Sequence, residues 1–182
     1  LAEGHSIAKS WRDLERISPN LVRAVVMSED ARFCTHNGID WREIEEAFER
    51  AQDGIPRGGS TISMQVAKNL FLWPSKSYVR KALEIPQTLA MEALWDKRRM
   101  LEIYLNIAEW GPGIFGAEAA AQYHFRKPAI RLTEAEAALL AVALPNPILR
   151  EAGRPGPGMQ RLAQIIQGRM RGAAPYVKCI LG

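Results

Sequence analysis

Apolar residues along the chain recur at three- and four-residue spacings far more often than they alternate, and that period predicts a helical protein. Ser18 followed by Pro19 marks a helix start, and Leu21, Val22, Val25, Val26 and Met27 supply the stripe behind it. Gly38 closes that unit. Asp40 with Glu43 forms a capping-box-like start for a second helix, whose stripe of Ile44, Ala47, Phe48 and Ala51 runs until Gly54. The stretch "QDGIPRGGST", Gln52 to Thr61, is a glycine-rich loop expected to move.

Ser60 or Thr61 caps the next helix, with Ile62, Val66 and Leu70 on its apolar face and Gln65, Lys68 and Asn69 on the other. Pro74 breaks "LFLWPSKS". A helix restarts near Ser77 and runs through Arg80, Lys81 and Glu84, with Pro86 expected to kink or end it. Asp96 caps "DKRRMLEIYLN", in which Met100, Leu101, Tyr104 and Leu105 face inward. "EWGPGIFG" reads as a turn-rich connector and "AEAAAQYHF" as a closely packed helix. Thr133 with Glu136 is a capping box for "LTEAEAALLAVAL". "GRPGPG" is a linker before an amphipathic helix near Gln160 to Met170. Repeats, sustained strand alternation and a second domain are all missing, so residues 1–182 read as one mainly α domain.

Composition sharpens this picture only slightly. With 182 residues, 47% hydrophobic and 24% charged, the chain can bury a core and is not a disordered protein. A net charge of +4 admits an anionic partner such as a phospholipid surface, a phosphorylated substrate or nucleic acid. Cys34 and Cys179 lie far apart, make no disulfide framework and no metal-ligand spacing, and leave the redox compartment open. The longest uncharged stretch, Ala137 to Leu149, is broken by Pro145 and Pro147 and falls short of the roughly 20 apolar residues of a membrane helix. The chain opens on Leu1 rather than Met, so an upstream segment is expected to precede it.

Three stretches carry candidate chemistry. In "SEDARFCTHNGID", Glu29, Phe33 and His36 fall at i, i+4 and i+7 and share a face if the helix continues that far, while Asp30 points elsewhere and suits structural hydrogen bonding. A glutamate beside an aromatic in a cleft is partly desolvated, which moves its pKa toward that of a working general base. The same spacing also suits a solvated carboxylate at a helix end. In "RGGSTISMQVAKN", glycines ahead of a helix N-terminus leave amides free for an anion, with Gln65 and Lys68 alongside, although plain capping accounts for the pattern equally well. In "SKSYVRKALE", Arg80 with Glu84 and Lys81 with Glu84 read either as surface ion pairs or, with Lys68 and Lys76, as a cationic cluster for a diphosphate that Glu84 orients. The adjoining "LFLWP", with Trp73, suits an anionic lipid surface. Glu102 and Asn106 are expected to hold structure, Trp11, Trp41, Trp95 and Trp110 to serve core or interface, and His5 and His124 have no evident partner.

Taken in order, "EDARFCTHNGIDW", "GGSTISMQVAKNLFLW", "RKALE", "DKRRMLEIYLNIAEWGPGIFGAEAAAQYHF" and "LTEAEAALLAVALPNP" make the chain resemble the peptidoglycan glycosyltransferases, and within them the monofunctional biosynthetic transglycosylases of Gram-negative bacteria. The likeness spans roughly Ile17 to Pro147. It implies a mainly α, lysozyme-like domain with a smaller membrane-facing lobe, preceded by a single transmembrane helix and placed on the periplasmic side of the inner membrane. It also implies lipid II as substrate, with the 4-hydroxyl of the acceptor attacking C1 of the lipid-linked MurNAc on the growing strand, inversion at that carbon, and release of undecaprenyl diphosphate. By the same resemblance Glu29 is the general base, and Glu84 settles the donor diphosphate directly or through a divalent cation, Mg or Mn. Lys68, Lys76, Arg80 and Lys81 meet the leaving-group charge. Asp30, Phe33, His36, Ser60, Thr61, Gln65 and Asn69 complete the substrate site. Membrane lipids, phosphoglycolipid inhibitors of the moenomycin type and cell-division proteins are the implied partners, and nucleic acid is not. Met64 departs from the pattern, standing where the family has a second glutamine, and so does Pro86, two residues beyond Glu84.

Two other readings fit a lysozyme-like protein: a lytic enzyme acting on finished glycan, and a non-catalytic module binding membranes or anions. The cations between Lys68 and Lys81 argue against the first, since a neutral glycan leaving group has no need of them. A cleft-facing Glu29 argues against the second, and basic and aromatic residues are not interleaved as a single-strand binder requires.

Overall fold

The side chain of Ser18 accepts the Asn20 amide and Pro19 fills the first turn, so α1 (Pro19–Glu29) starts where the sequence marks it. Its face of Leu21, Val22, Ala24, Val25 and Val26 is wholly buried and makes α1 the central helix of the protein. The computed structural model describes residues 8–50, 59–72 and 78–182, without the side chains of Arg50, Tyr78, Val79 and Lys81. The described chain is 64% helical. After α1 come α2 (Trp41–Arg50), α3 (Ile62–Phe71), α4 (Tyr78–Leu94), α5 (Lys97–Ile107), α6 (Ala117–Phe125), α7 (Glu134–Ala143), α8 (Pro157–Met170) and the short α9 (Lys178–Leu181). The architecture is that of a mainly α, lysozyme-like domain. α1 packs on α7 and α8, α3 packs on α4 and α5, and α9 closes against α5.

The caps follow the sequence closely. Thr61, not Ser60, caps α3 by accepting the Met64 amide. Asp96 caps α5 through the Arg99 amide, and Thr133 and Glu136 form both halves of the capping box on α7. Met100, Leu101, Tyr104 and Leu105 are all buried, and the alanines of α6 allow the close approach that their size suggests. Glu102 and Asn106 hold the N-terminal segment, Glu102 accepting the Leu14 amide and Asn106 pairing with the backbone of Arg12.

Several expectations are corrected. Pro86 lies inside α4 and does not end it. The bond it cannot make would reach the carbonyl of Ala82, and both residues lie on the exposed side of the helix. "EWGPGIFG" is a hairpin, not a plain connector: β2 (Glu109–Gly111) runs antiparallel to β3 (Ile114–Phe115), which pairs in parallel with β1 (Ala8–Lys9). Strands of two or three residues are too short to show alternation. Phe48 and Leu70, assigned to apolar faces, are exposed. The Gly-rich loop up to residue 58 and the Pro74 break, with Trp73 and Lys76, lie outside the described residues, as does His5. No described helix is long and apolar enough to cross a membrane.

The largest correction concerns the cysteines. Cys34, in the loop after α1, is disulfide-bonded to Cys179 of α9, with Cα atoms 5.7 Å apart across a sequence separation of 145. Arg98 of α5 reinforces the seam by donating to the Ile180 carbonyl at 2.8 Å. A cross-link closing so long a loop removes much unfolded-chain entropy, about 2–4 kcal/mol in typical cases. Reduction, or Cys34→Ser, is therefore expected to lower Tm by roughly 5–15 °C. Thermal unfolding with and without reductant measures this, and an unchanged Tm would contradict the bond.

Candidate active site

Asp30 leaves the helical conformation at φ −161°, so α1 stops at Glu29 and does not continue to His36. Glu29, Phe33 and His36 therefore do not share a helical face. The loop from Asp30 to Asp40 instead folds around the Asp30 carboxylate, whose Oδ2 accepts the Ile62 amide at the N-terminus of α3 at 3.0 Å. Here a carboxylate meets the positive end of a helix. His36 Nδ1 accepts the Gly38 amide, which leaves the ring proton on Nε2, 3.0 Å from each Asp30 oxygen. Asp30 is thus engaged in hydrogen bonds within the fold while also lining the cleft.

Further contacts pin the same loop. Thr61 Oγ1 donates to the Gly38 carbonyl. Gly38 sits at φ +90°, and a Cβ there would lie 2.8 Å from Glu92 Cγ and 2.9 Å from Thr88 Cγ2, so only glycine fits. Arg32 bonds Asp40 Oδ2 at 2.7 Å and reaches Glu43 at 3.3 Å. Phe33 is fully buried with the Lys97 ammonium 4.5 Å above its ring, and Lys97 is in turn paired with Glu92, which accepts the Ser63 hydroxyl.

With its neighbour anchored, Glu29 turns into a cleft of about 490 Å³, a volume suited to a disaccharide-sized ligand. Ser28, Arg32, Ser60, Thr61 and Gln65 line the cleft together with Arg169 from α8. Gln65 Nε2 donates to Glu29 Oε2 at 3.2 Å, and Ser28 Oγ lies 3.4 Å from Oε1. Tyr104 stands behind Gln65, donating its hydroxyl to Oε1 of that amide at 3.1 Å. Desolvation raises the pKa of Glu29, the bonds from Gln65 and Ser28 oppose it, the charge of Asp30 adds to the rise, and Lys68 counters it. The net effect is a carboxyl that takes up a proton more readily than an ordinary glutamate. Tyr104 is pushed well above the usual phenol range, first by burial and then by the charges of Glu29 and Asp30.

The diphosphate candidates lie to one side. Lys68 of α3 is close enough to act on Glu29 electrostatically but does not line the cleft. Arg80 Nε is 3.5 Å from Glu84 Oε1, and with 14% and 3% of the side chains exposed this is a buried pair, not the surface pair that its spacing suggests. Asn69 is exposed on α3, while Lys76 and the side chain of Lys81 lie outside the described residues. Glu84 belongs to no described group of metal-ligand spacing. The one such group is Asp30, His36 and Asp40, with atoms within 4.8 Å of one another. Its atoms already serve His36, Arg32 and the amides of Ile62, Gly38 and Glu43, so the set does not fit a cation.

Sequence reasoning missed Arg169 and the hydroxyl of Tyr104. Nothing local marks Arg169, which stands in the last turn of α8 beside the stripe of Ala163, Ile166 and Met170. Tyr104 did carry a signal, since a buried tyrosine needs a partner for its hydroxyl where phenylalanine would not. His124, without an evident partner in the sequence, bonds the Trp110 carbonyl at 2.8 Å and accepts the Gly153 amide.

The raised pKa of Glu29 fixes the sign of one effect on stability. A carboxyl whose folded pKa lies above its unfolded value favours folding in acid, and that contribution is lost as pH rises through the folded value. Glu29→Gln lacks this loss. Its Tm relative to the wild type is expected to rise from acid to neutral pH in parallel thermal scans, and a constant or falling difference would show that Glu29 is not desolvated.

The family model described as Transglycosylase matches residues 2–171. The biosynthetic peptidoglycan transglycosylase of Agrobacterium fabrum is 56% identical over 95% of this chain and 77% of its own length. The protein of the same name from Rhizobium etli is 56% identical over 94% of this chain and 74% of its own, and that from Brucella suis 52% identical over 96% and 78%. A match over nearly the whole chain, centred on a cleft built around a desolvated glutamate, places this chain in the transglycosylase family.

Proposed function

We propose that the chain is a peptidoglycan glycosyltransferase that polymerises lipid II, and that Glu29 is its general base. The observation that carries the reading is Glu29 itself: desolvated, held by Gln65 and open to a cleft of disaccharide size. The acceptor sugar lies in that cleft with its 4-hydroxyl against Glu29. As the O–H bond breaks, the proton passes to the carboxylate and the electron pair forms the bond to C1 of the MurNAc. The bond from C1 to the diphosphate oxygen breaks, the configuration inverts, and undecaprenyl diphosphate leaves with one more negative charge. Lys68 and Arg80 are the described cations on that side, and fixed positive charge is most effective where charge develops. Glu84, paired with Arg80, holds that guanidinium in place.

The setting follows from two further features. A disulfide of long span belongs to an oxidising compartment, which supports the periplasmic face of the envelope. Leu70 and Phe71 of α3 and Leu83 and Leu89 of α4 are exposed, which supports a lobe resting on membrane lipid where an undecaprenyl chain enters. An anchoring helix upstream of Leu1 would complete a single-pass inner-membrane protein. Moenomycin-type phosphoglycolipids would compete for the diphosphate side of the site. Cell-division proteins are the candidate protein partners.

The test is polymerisation of labelled lipid II in detergent by the wild type and Glu29→Gln. The variant is expected to lose at least ~10²-fold in rate, the lower range for a positioned base, while still binding lipid. Equal rates would remove Glu29 from the mechanism, and cleavage of finished strands without polymerisation would favour a lytic enzyme.

A further inference from the structure

The sequence pattern accounts for Tyr104 as a packing residue between Leu101 and Leu105, yet its ring carries a hydroxyl that packing does not require. That hydroxyl is 1% exposed with its residue and donates to a single amide, Oε1 of Gln65. Gln65 presents its opposite end, Nε2, to Glu29 Oε2. We propose that Tyr104 is a positioning residue for proton transfer: its hydroxyl fixes the orientation of the Gln65 amide, so that Glu29 Oε2 is permanently bonded and Oε1 receives the proton of the sugar hydroxyl. The inference rests on the reading of Glu29 as the base.

A primary amide is nearly symmetric in shape and opposite in charge at its two ends, so the partner at the far end decides which end faces a carboxylate. With the phenol donating to Oε1, the amide offers N–H to Glu29. With that donor removed, Oε1 of Gln65 loses its partner, and the amide is free to turn and bring oxygen against oxygen. The three groups are aligned as O–H to O=C, then N–H to carboxylate, an arrangement in which each bond polarises the next. Oε1 is left with the Ser28 hydroxyl at 3.4 Å, a long contact that an incoming sugar hydroxyl outcompetes. Tyr104 neither gives nor takes a proton. The proton moves from the sugar oxygen to Oε1 of Glu29, and solvent removes it after product leaves.

The other ionisable groups around Glu29 stay unchanged when Tyr104 becomes phenylalanine. Among the described residues they are Asp30 beside it, Arg32, Asp40 and Glu43 across the cleft, Lys68 on α3 and Arg169 on α8, and α7 contributes no described group to the cleft lining. A change in the titration of Glu29 in that variant therefore reports the relay.

The experiment compares wild type, Tyr104→Phe, Gln65→Met and the double variant by the pH profile of kcat/KM on labelled lipid II, with circular dichroism to verify folding. Tyr104→Phe is expected to move the acid limb to higher pH. The loss is roughly threefold to tenfold on the acid side and closes on the alkaline side, as for a weakened hydrogen bond to a charged group. Gln65→Met is expected to shift the limb at least as far, and adding Tyr104→Phe to it to change nothing more, because the two act through one chain of bonds. A loss of the same factor at every pH, or full additivity, would make Tyr104 structural and overturn the proposal. NMR titration of the Glu29 carboxyl reads the relay without turnover. If the wild type makes no polymer, the assigned function fails, and a titration moved upward in Tyr104→Phe still supports the relay while an unmoved one ends it.

Discussion

The bond between the Asp30 carboxylate and the first amide of α3 is the constraint from which the site follows. It ends α1, because the chain must leave the helix to bring Asp30 to that amide. It also fixes two helices relative to each other at the point where both contribute to the cleft, α1 with Glu29 and α3 with Gln65. His36 shares the carboxylate and is held by Gly38, whose carbonyl takes the hydroxyl of Thr61, the cap of α3. The loop and the helix start are thus one closed circuit of hydrogen bonds. Glu29 lines the cleft and takes no part in that circuit.

That placement sets function against stability. A carboxylate at the last turn of a helix meets the negative end of the helix dipole, and desolvation adds to the cost of its charge. The surrounding structure tolerates this because the rest of the region is satisfied: Glu92 has Lys97, Asp40 has Arg32 and Glu84 has Arg80. The cost thus falls on one group whose charged neighbours are well paired. It also explains why Phe33 is fully buried. Its ring supports the loop from beneath and carries Lys97 on its face.

Local chemistry was legible in the sequence wherever a cap or a stripe decides the outcome. Ser18 with Pro19, Asp96, and Thr133 with Glu136 all mark helix starts that the fold uses. The helix period gave the inward face of α5. What stayed hidden depends on partners distant in sequence. The helical face of Glu29, Phe33 and His36 failed because Asp30 has a partner in Ile62, which the period of α1 cannot register. Pro86 survives in α4 because its face is exposed, and exposure is a property of the assembled protein. The Gln65–Tyr104 bond joins residues on two helices, and α5 alone gives no sign of it.

The disulfide has a consequence for how the protein is made. A ribosome delivers residue 34 long before residue 179, and the thiol of Cys34 must wait through 145 positions of synthesis for its partner. By then α1, α3, α5, α7 and α8 have all been synthesised. A chain released short of α9 would contain every described residue of the cleft lining and lack the covalent tether between the loop after α1 and the chain's end.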